Sequence, residues 1–205
     1  MKHWLVIGGT GMLKDVSIWL INGGNHVTVI GRQQKKMQNL INEAKNSSKL
    51  TPLLVDYTNY NNLKTALIKS QETHGSFDCI IAWIHGSDTR IWESLFQAAS
   101  NTKNVILYHI KGSSSYLSND STKSYIPSNI IYREVKLGFI IEDNNTSRWL
   151  TNSEITQGTI DAIKQEIPEK HVGVLSRGIC ALKQKKNLPI TSEVEGIRQI
   201  LFHLI

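Results

Sequence analysis

The 205-residue chain has little cysteine: Cys79 and Cys180 are the only two. Two cysteines make no disulfide framework, and Cys79 sits in an apolar run where a small core residue is the simplest role. No cysteine or histidine spacing matches a metal site. Long hydrophobic runs are missing as well, and none approaches the length that spans a membrane. The first strand begins at residue 2 or 3, so no signal or transit peptide is expected and the protein is read as cytoplasmic. Basic residues exceed acidic ones, for a net charge of +6. They are not gathered on one element, as a nucleic-acid binder would require. Only residues 32–36 and 183–186 are locally basic. No repeat, linker or low-complexity segment marks a second domain. With 40% hydrophobic and 20% charged residues, the composition is that of an ordinary globular domain with one full core.

What is present is an alternation of strands and amphipathic helices. Strands are expected at 3–7, 26–30, 51–55, 77–84 and 104–109. Between them lie a helix over 11–21 and helices carrying Met37, Leu40, Ile41 and Ala44, then Leu63, Ala66 and Leu67, then Ile91, Leu95, Ala98 and Ala99 at helical spacing. Residues 111–129 are polar and contain Pro127, so they read as a loop. Thr151-Asn152-Ser153-Glu154 is a capping-box pattern opening a helix to about Lys164. A short strand over 171–175 follows. A second capping box, Ser192-Glu193-Val194-Glu195, opens a last helix with Val194, Ile197, Leu201 and Leu204 on one stripe. This order predicts an α/β fold: a Rossmann-like, doubly wound parallel sheet in a three-layer α/β/α sandwich. One domain covers 1–205, with its core in 1–166 and an extension over 167–205.

The most informative stretch is Lys2-His3-Trp4-Leu5-Val6-Ile7 followed by Gly8-Gly9-Thr10-Gly11-Met12-Leu13. A buried strand runs into a glycine turn and then into a helix. Glycines let main-chain N–H groups approach a ligand, and a helix start presents free donors with a positive dipole end. That is the context in which a dinucleotide's pyrophosphate binds. In open α/β sheets ligands lie beyond the carboxyl ends of the strands. This rule adds Gly31 and Arg32 after strand two, Asp56 and Tyr57 after strand three, Ile84, His85 and Gly86 after strand four, and His109 onward after strand five. Strand two ends Val29-Ile30-Gly31-Arg32, with no carboxylate to accept from ribose hydroxyls. Arg32 suits a 2′-phosphate instead, with Lys35 and Lys36 adding charge, so NADP is favoured over NAD. The competing reading of Arg32 is a solvated helix start.

The chain resembles the short-chain dehydrogenase/reductase superfamily, and within it the atypical, NmrA-like NAD(P)H-binding branch. Val6-Ile7-Gly8-Gly9-Thr10-Gly11-Met12-Leu13-Lys14 lines up with that superfamily's V-x-G-G-T-G-F-I-G turn. Val29-Ile30-Gly31-Arg32 looks like its NADP-type second strand, and Val55-Asp56 like its third-strand Asp near the adenine. Small Bacillus-type short-chain dehydrogenases look similar over residues 1 to about 166. Two departures stand out. Lys14 replaces the third glycine, so the helix stands off, Lys14 points outward, or its ammonium reaches a phosphate. The family's Asn-Asn-Ala-Gly after strand four is replaced by Ala82-Trp83-Ile84-His85-Gly86.

The resemblance implies a tyrosine acid/base with a lysine one helical turn later, and a serine upstream. Tyr132 and Lys136 match Y-x-x-x-K, with Ser118 and Ser121 before them. A nearby cation would favour the phenolate. The couple needs a helix, since residues four apart then share a face. The segment 130–141 is instead rich in β-branched and aromatic residues, and Val135, Leu137, Phe139 and Ile141 alternate with their neighbours. It reads as a sixth strand, in which Tyr132 and Lys136 would stand roughly 13 Å apart. A helical reading survives through Ile131, Val135 and Phe139. His85 and His109 are further acid/base candidates at the cofactor edge, each also an ordinary strand-end residue. Ser113, Ser114 and Ser115 suit phosphate or substrate binding, or plain loop chemistry. Trp83 would wall a nicotinamide pocket or pack in the sheet.

The candidate site therefore comprises Gly8, Gly9, Thr10, Gly11, Met12, Leu13, Arg32, Asp56, Tyr57, Trp83 and His85 for cofactor, and Tyr132, Lys136 and His85 for catalysis. The expected activity is an NADP-dependent oxidoreductase acting on a small carbonyl or alcohol. The alternative is a non-catalytic NADP-binding redox sensor of NmrA-like type. A methyltransferase fits less well, because its cofactor ribose wants an acid where Arg32 stands. No nucleic-acid or membrane partner is expected. Apolar faces on the fourth or the last helix would support a homodimer.

Overall fold

The computed structural model describes residues 1–85, 88–112, 125–142 and 146–175. Expectations for Gly86, Ser113–Ser115, Ser118, Ser121, Cys180, the basic run at 183–186 and the second capping box with its helix lie outside these residues. The chain runs β1 (His3–Ile7), α1 (Lys14–Asn22), β2 (His26–Gly31), α2 (Gln34–Glu43), a 3-10 turn, β3 (Leu50–Leu54), α3 (Tyr60–His74), β4 (Cys79–Trp83), α4 (Thr89–Ala99), β5 (Val105–Lys111), β6 (Ile130–Leu137), β7 (Phe139–Ile141), β8 (Ser147–Trp149), α5 (Asn152–Lys164) and β9 (Glu169–Val172). Seven strands form one sheet in the order β3-β2-β1-β4-β5-β6-β9. Every neighbouring pair is parallel. Strand order reverses between β1 and β4, which is the topological switch point of a doubly wound sheet.

Side-chain parity along each strand builds two cores. Trp4, Val6, Val29, Cys79, Ile81, Tyr108, Ile110 and Val135 face α1, α2 and α5. Leu5, Ile7, Ile30, Ile80, Ala82, Val105 and Leu107 face α3 and α4. Strands buried on both faces read as continuous apolar runs, and β1 and β4 do so because helices cover both sides. The apolar residues of α4, Ile91, Trp92, Leu95, Phe96 and Ala99, are all buried in the chain's own core. Among the described residues no helix is long and apolar enough to cross a membrane.

The capping box at α5 is present as expected. Glu154 N donates to Thr151 Oγ1 at 3.2 Å and Thr151 N donates to Glu154 Oε2 at 2.8 Å. Arg148 grips the same carboxylate in two hydrogen bonds of 2.8 and 2.9 Å. The expected strand over 130–141 forms but breaks at Gly138, where a Cβ would stand 2.3 Å from the Val174 carbonyl oxygen. Beyond that crossing Phe139–Ile141 turns away to pair antiparallel with β8, a hairpin absent from the sequence reading. The first helix begins at Lys14 rather than Gly11, because the glycine turn takes up the residues between. The last described strand lies at Glu169–Val172 rather than 171–175.

At the opposite edge of the sheet from the glycine turn, three histidines meet. The rings of His26 and His74 stack at 3.8 Å, and His3 stands edge-on to both at 5.1 and 5.9 Å. His3 Nδ1 and Nε2 lie 2.8 Å from Gly75 O and Thr28 Oγ1. Thr51 Oγ1 bridges His26 Nε2 and His74 Nε2 at 2.9 Å each. Burial and the neighbouring imidazoles lower the pKa of His3, and that of His26 to about 4. Folding thus favours neutral rings, while the unfolded chain protonates near pH 6.5. Stability is full above that value and falls as pH drops from about 6.5 toward 4. The urea midpoint should decline over this window, and His26→Gln should flatten the decline. A midpoint independent of pH there would contradict the geometry.

Candidate functional site

The glycine turn is built by close packing. Gly8 leaves β1 at φ +85°, a conformation that favours glycine, and an added Cβ would stand 3.2 Å from Trp83 Cβ. Gly11 N donates to Gly8 O at 3.1 Å and Lys14 N donates to Gly11 O at 3.0 Å. Helix α1 then starts with no side-chain cap at Leu13. Its first-turn amides and dipole are presented at the carboxyl edge of β1. A Cβ on Gly9 would lie 2.6 Å from Ser17 Oγ and 2.8 Å from Val29 Cγ1. Helix and sheet therefore approach closely at Gly9, with Ser17 Oγ donating to Leu13 O at 3.1 Å and, more weakly, to Gly9 O at 3.3 Å. This contact explains how Lys14 is tolerated in place of a third glycine. Its side chain points outward, and its ammonium bonds both carboxylate oxygens of Glu43 at 2.9 and 2.8 Å.

The ends of β1 to β4 form a cleft of about 280 Å³. From the expected site, Gly8, Thr10, Gly11, Met12, Arg32, Asp56, Tyr57, Trp83 and His85 line it. Gly9 and Leu13 do not. Gly9 is spent on packing, and Leu13 is fully buried in the core because it caps α1 from inside. Gly31, Gln33, Lys36 and Val55 line the cleft as well. Of these Gly31, Lys36 and Val55 carried a signal in the sequence, and Gln33 carried none. Gly31 must be small, since a Cβ there would stand 2.7 Å from Thr10 Oγ1.

Electrostatically the mouth of the cleft is mixed. Arg32 Nη1 lies 3.7 Å from Asp56 Oδ2, with side chains 72% and 43% exposed, so the pair is worth little by itself and opens readily. Hydrogen bonds from the Thr58 amide and hydroxyl, 3.0 and 2.8 Å long, hold Asp56 below the usual carboxylate range, and Arg32 adds to this. On the far wall His85 N donates to Tyr57 Oη at 3.3 Å, and the His85 ring stands edge-on to Trp83 at 5.0 Å. The His85 ring is exposed.

The tyrosine and lysine of the Y-x-x-x-K match are not brought into this cleft. Tyr132 and Lys136 lie on β6, a strand, so they are not a helical couple one turn apart. Both belong to a polar ladder across β5, β6 and β9. His109 Nδ1 lies 2.8 Å from the Tyr132 hydroxyl, which donates to Glu134 Oε1 at 2.9 Å. Lys111 Nζ reaches the same oxygen at 3.0 Å. Lys136 Nζ stands 3.4 Å from Glu134 Oε2 and 2.6 Å from Glu169 Oε1. His171 Nε2 closes the row on Glu169 at 2.8 Å. Glu134 is 2% and Lys111 8% exposed. Parity explains this arrangement: Tyr132, Glu134 and Lys136 alternate along β6, and the parallel register sets His109 beside Glu134 and Glu134 beside Glu169. The candidate His109 is thereby committed to the same ladder, with the Trp92 ring edge-on to it at 4.5 Å. No described group of histidine, cysteine and carboxylate side chains could hold a metal.

No protein-family model matches the chain, and no curated protein matches it. Many solved structures share its fold. A β-ketoacyl-[ACP] reductase from Bacteroides thetaiotaomicron is similar at 14% identity, with 85% of this chain and 97% of that one covered and a TM-score of 0.63. A short-chain dehydrogenase from Bacillus anthracis matches at 13% identity over 84% and 94% of the two chains, with a TM-score of 0.63. An actinorhodin polyketide ketoreductase solved with NADPH matches at 11% identity over 84% and 95%, with a TM-score of 0.62. The fold is that of short-chain dehydrogenase/reductase structures.

Proposed function

We propose that the cleft binds NADP(H) and that the protein is an oxidoreductase of the short-chain dehydrogenase type, acting on a small carbonyl or alcohol. The observation that carries this reading is the pairing of a glycine turn and uncapped helix start with Arg32 and Lys36 at the same cleft. The turn amides and helix dipole suit a diphosphate. Arg32 and Lys36 suit a 2′-phosphate, because β2 ends in Gly31-Arg32 without a carboxylate to hold free ribose hydroxyls. Asp56 and Tyr57 would flank the adenosine. A bound nicotinamide would supply or accept the hydride. His85 is the exposed imidazole on the cleft wall, and we assign it the proton exchanged with the substrate oxygen. The likeness to reductases, one of them solved with NADPH, supports the same reading.

The placement of Tyr132 and Lys136 on β6, outside the cleft, is the one observation behind a second reading, a nucleotide-binding regulator without turnover. Calorimetry with NADPH and NADH, followed by NADPH oxidation across a panel of small aldehydes and ketones, tests both. Binding with turnover supports the enzyme, binding alone supports the regulator, and no binding of either nucleotide removes both. Should turnover be found, Tyr132→Phe is expected to leave kcat within about threefold, since the hydroxyl is engaged with Glu134 and His109 in the ladder on β5 and β6 and does not line the cleft. Loss of turnover by several orders of magnitude would return the tyrosine to the reaction.

A further inference from the structure

The cation that would read a 2′-phosphate already has a partner. Arg32 leaves β2 at the edge where Asp56 follows β3, because the two strands are parallel and Gly31 pairs with Leu54. Pairing continues one residue further, with Val55 N donating to Gly31 O at 3.2 Å. So β2 ends without a carboxylate of its own, and the turn after β3 delivers one to the same place. Asp56 Oδ2 stands 3.7 Å from Arg32 Nη1. The other oxygen, Oδ1, is tied down: it accepts from Thr58 N at 3.0 Å and from Thr58 Oγ1 at 2.8 Å. Those bonds hold the Asp56 pKa below the usual carboxylate range, so its charge is present throughout the neutral range. Arg32 is the more exposed member of the pair and free to turn, whereas Asp56 is anchored in its own turn.

We propose that Asp56 tunes nucleotide preference through Arg32: a 2′-phosphate must draw the guanidinium from a carboxylate that stays beside it, which tempers the preference for NADPH over NADH. The inference rests on the nucleotide reading above and names the residue that opposes Arg32 within it. The planar fork of a guanidinium has donors enough to serve two anions. Sharing them, however, brings the phosphate close to the fixed Asp56 charge. Like charges at an exposed site repel modestly, and salt screens the repulsion. The free ribose hydroxyl of NADH carries no charge and meets no such opposition.

The test measures Kd for NADPH and NADH by calorimetry on the wild-type chain, Asp56→Asn, Arg32→Ala and the double variant. Asparagine keeps an oxygen for the Thr58 donors and removes the charge, so the turn after β3 is retained. Asp56→Asn should tighten NADPH by about fourfold and move NADH by less than about 1.5-fold, the scale of one exposed charge pair. With Arg32 already alanine, the same change should alter NADPH by less than about twofold, because no guanidinium then draws the phosphate toward Asp56. An NADPH gain that persists in full in the Arg32→Ala background would overturn the proposal. So would an NADPH gain below about twofold in Asp56→Asn itself. Equal shifts for the two nucleotides would also overturn it, since Asp56 would then touch the adenosine they share. Failure of both nucleotides to bind the wild type and Asp56→Asn would remove the nucleotide reading, and this inference with it.

Discussion

Arg32→Ala is expected to weaken NADPH by about 30-fold and NADH by less than about threefold, as loss of one charge-assisted contact of about 2 kcal/mol to a 2′-phosphate requires. The selectivity follows from position. Arg32 is the residue immediately after β2, it is 72% exposed, and its Asp56 partner is 3.7 Å away. An anion arriving at the mouth of the cleft competes only with that loose, solvated pair. Removing Lys36 as well should lower NADPH affinity further, and raising salt should narrow the gap between NADPH and NADH. Equal losses for the two nucleotides on Arg32→Ala would take the arginine out of the 2′-phosphate role. Measuring both Kd values at low and high salt decides it.

Glu134→Ala should lower unfolding free energy by about 3–5 kcal/mol, the usual cost of breaking a buried ion pair. Glu134 is the hub of the ladder. Its carboxylate accepts from Lys111 and Tyr132 and faces Lys136 on a strand at the middle of three. With it gone, Lys111 loses this carboxylate at a place where its ammonium is barely hydrated. Glu134→Gln retains the shape and an acceptor for the tyrosine, and should cost less than the alanine change. Urea unfolding of both variants checks this. A loss below about 1 kcal/mol for the alanine variant would mean that the ladder is a solvated surface feature.

The two experiments bear on different parts of the molecule, and the sequence foretold them unequally. Periodicity announced β1 through β5 and the helices between them, because each is a local pattern of apolar side chains two or three to four residues apart. The capping box at Thr151 and Glu154 was legible for the same reason: its two hydrogen bonds link residues three apart. The hairpin of β7 and β8 was not, since its first strand reads as a continuation of β6. Only the crossing of Gly138 under Val174 breaks that strand. At the site, the glycines and Arg32 were readable from the strand ends. The separate fate of Gly9, packed on Ser17 and Val29, depends on how near α1 comes to the sheet.

By itself, then, the sequence determined the alternating order of strands and helices, the glycine turn opening α1, and the missing carboxylate after β2, all of which are set by neighbours a few positions apart. Tertiary structure alone decided that Tyr132 and Lys136 join a buried ladder with His109, Lys111 and Glu169, and that Trp83 reaches from Gly8 to Gly112. A strand's own residues fix which way its side chains point. Which partners they meet depends on the order and register of strands far apart in the chain, brought side by side only when the sheet assembles.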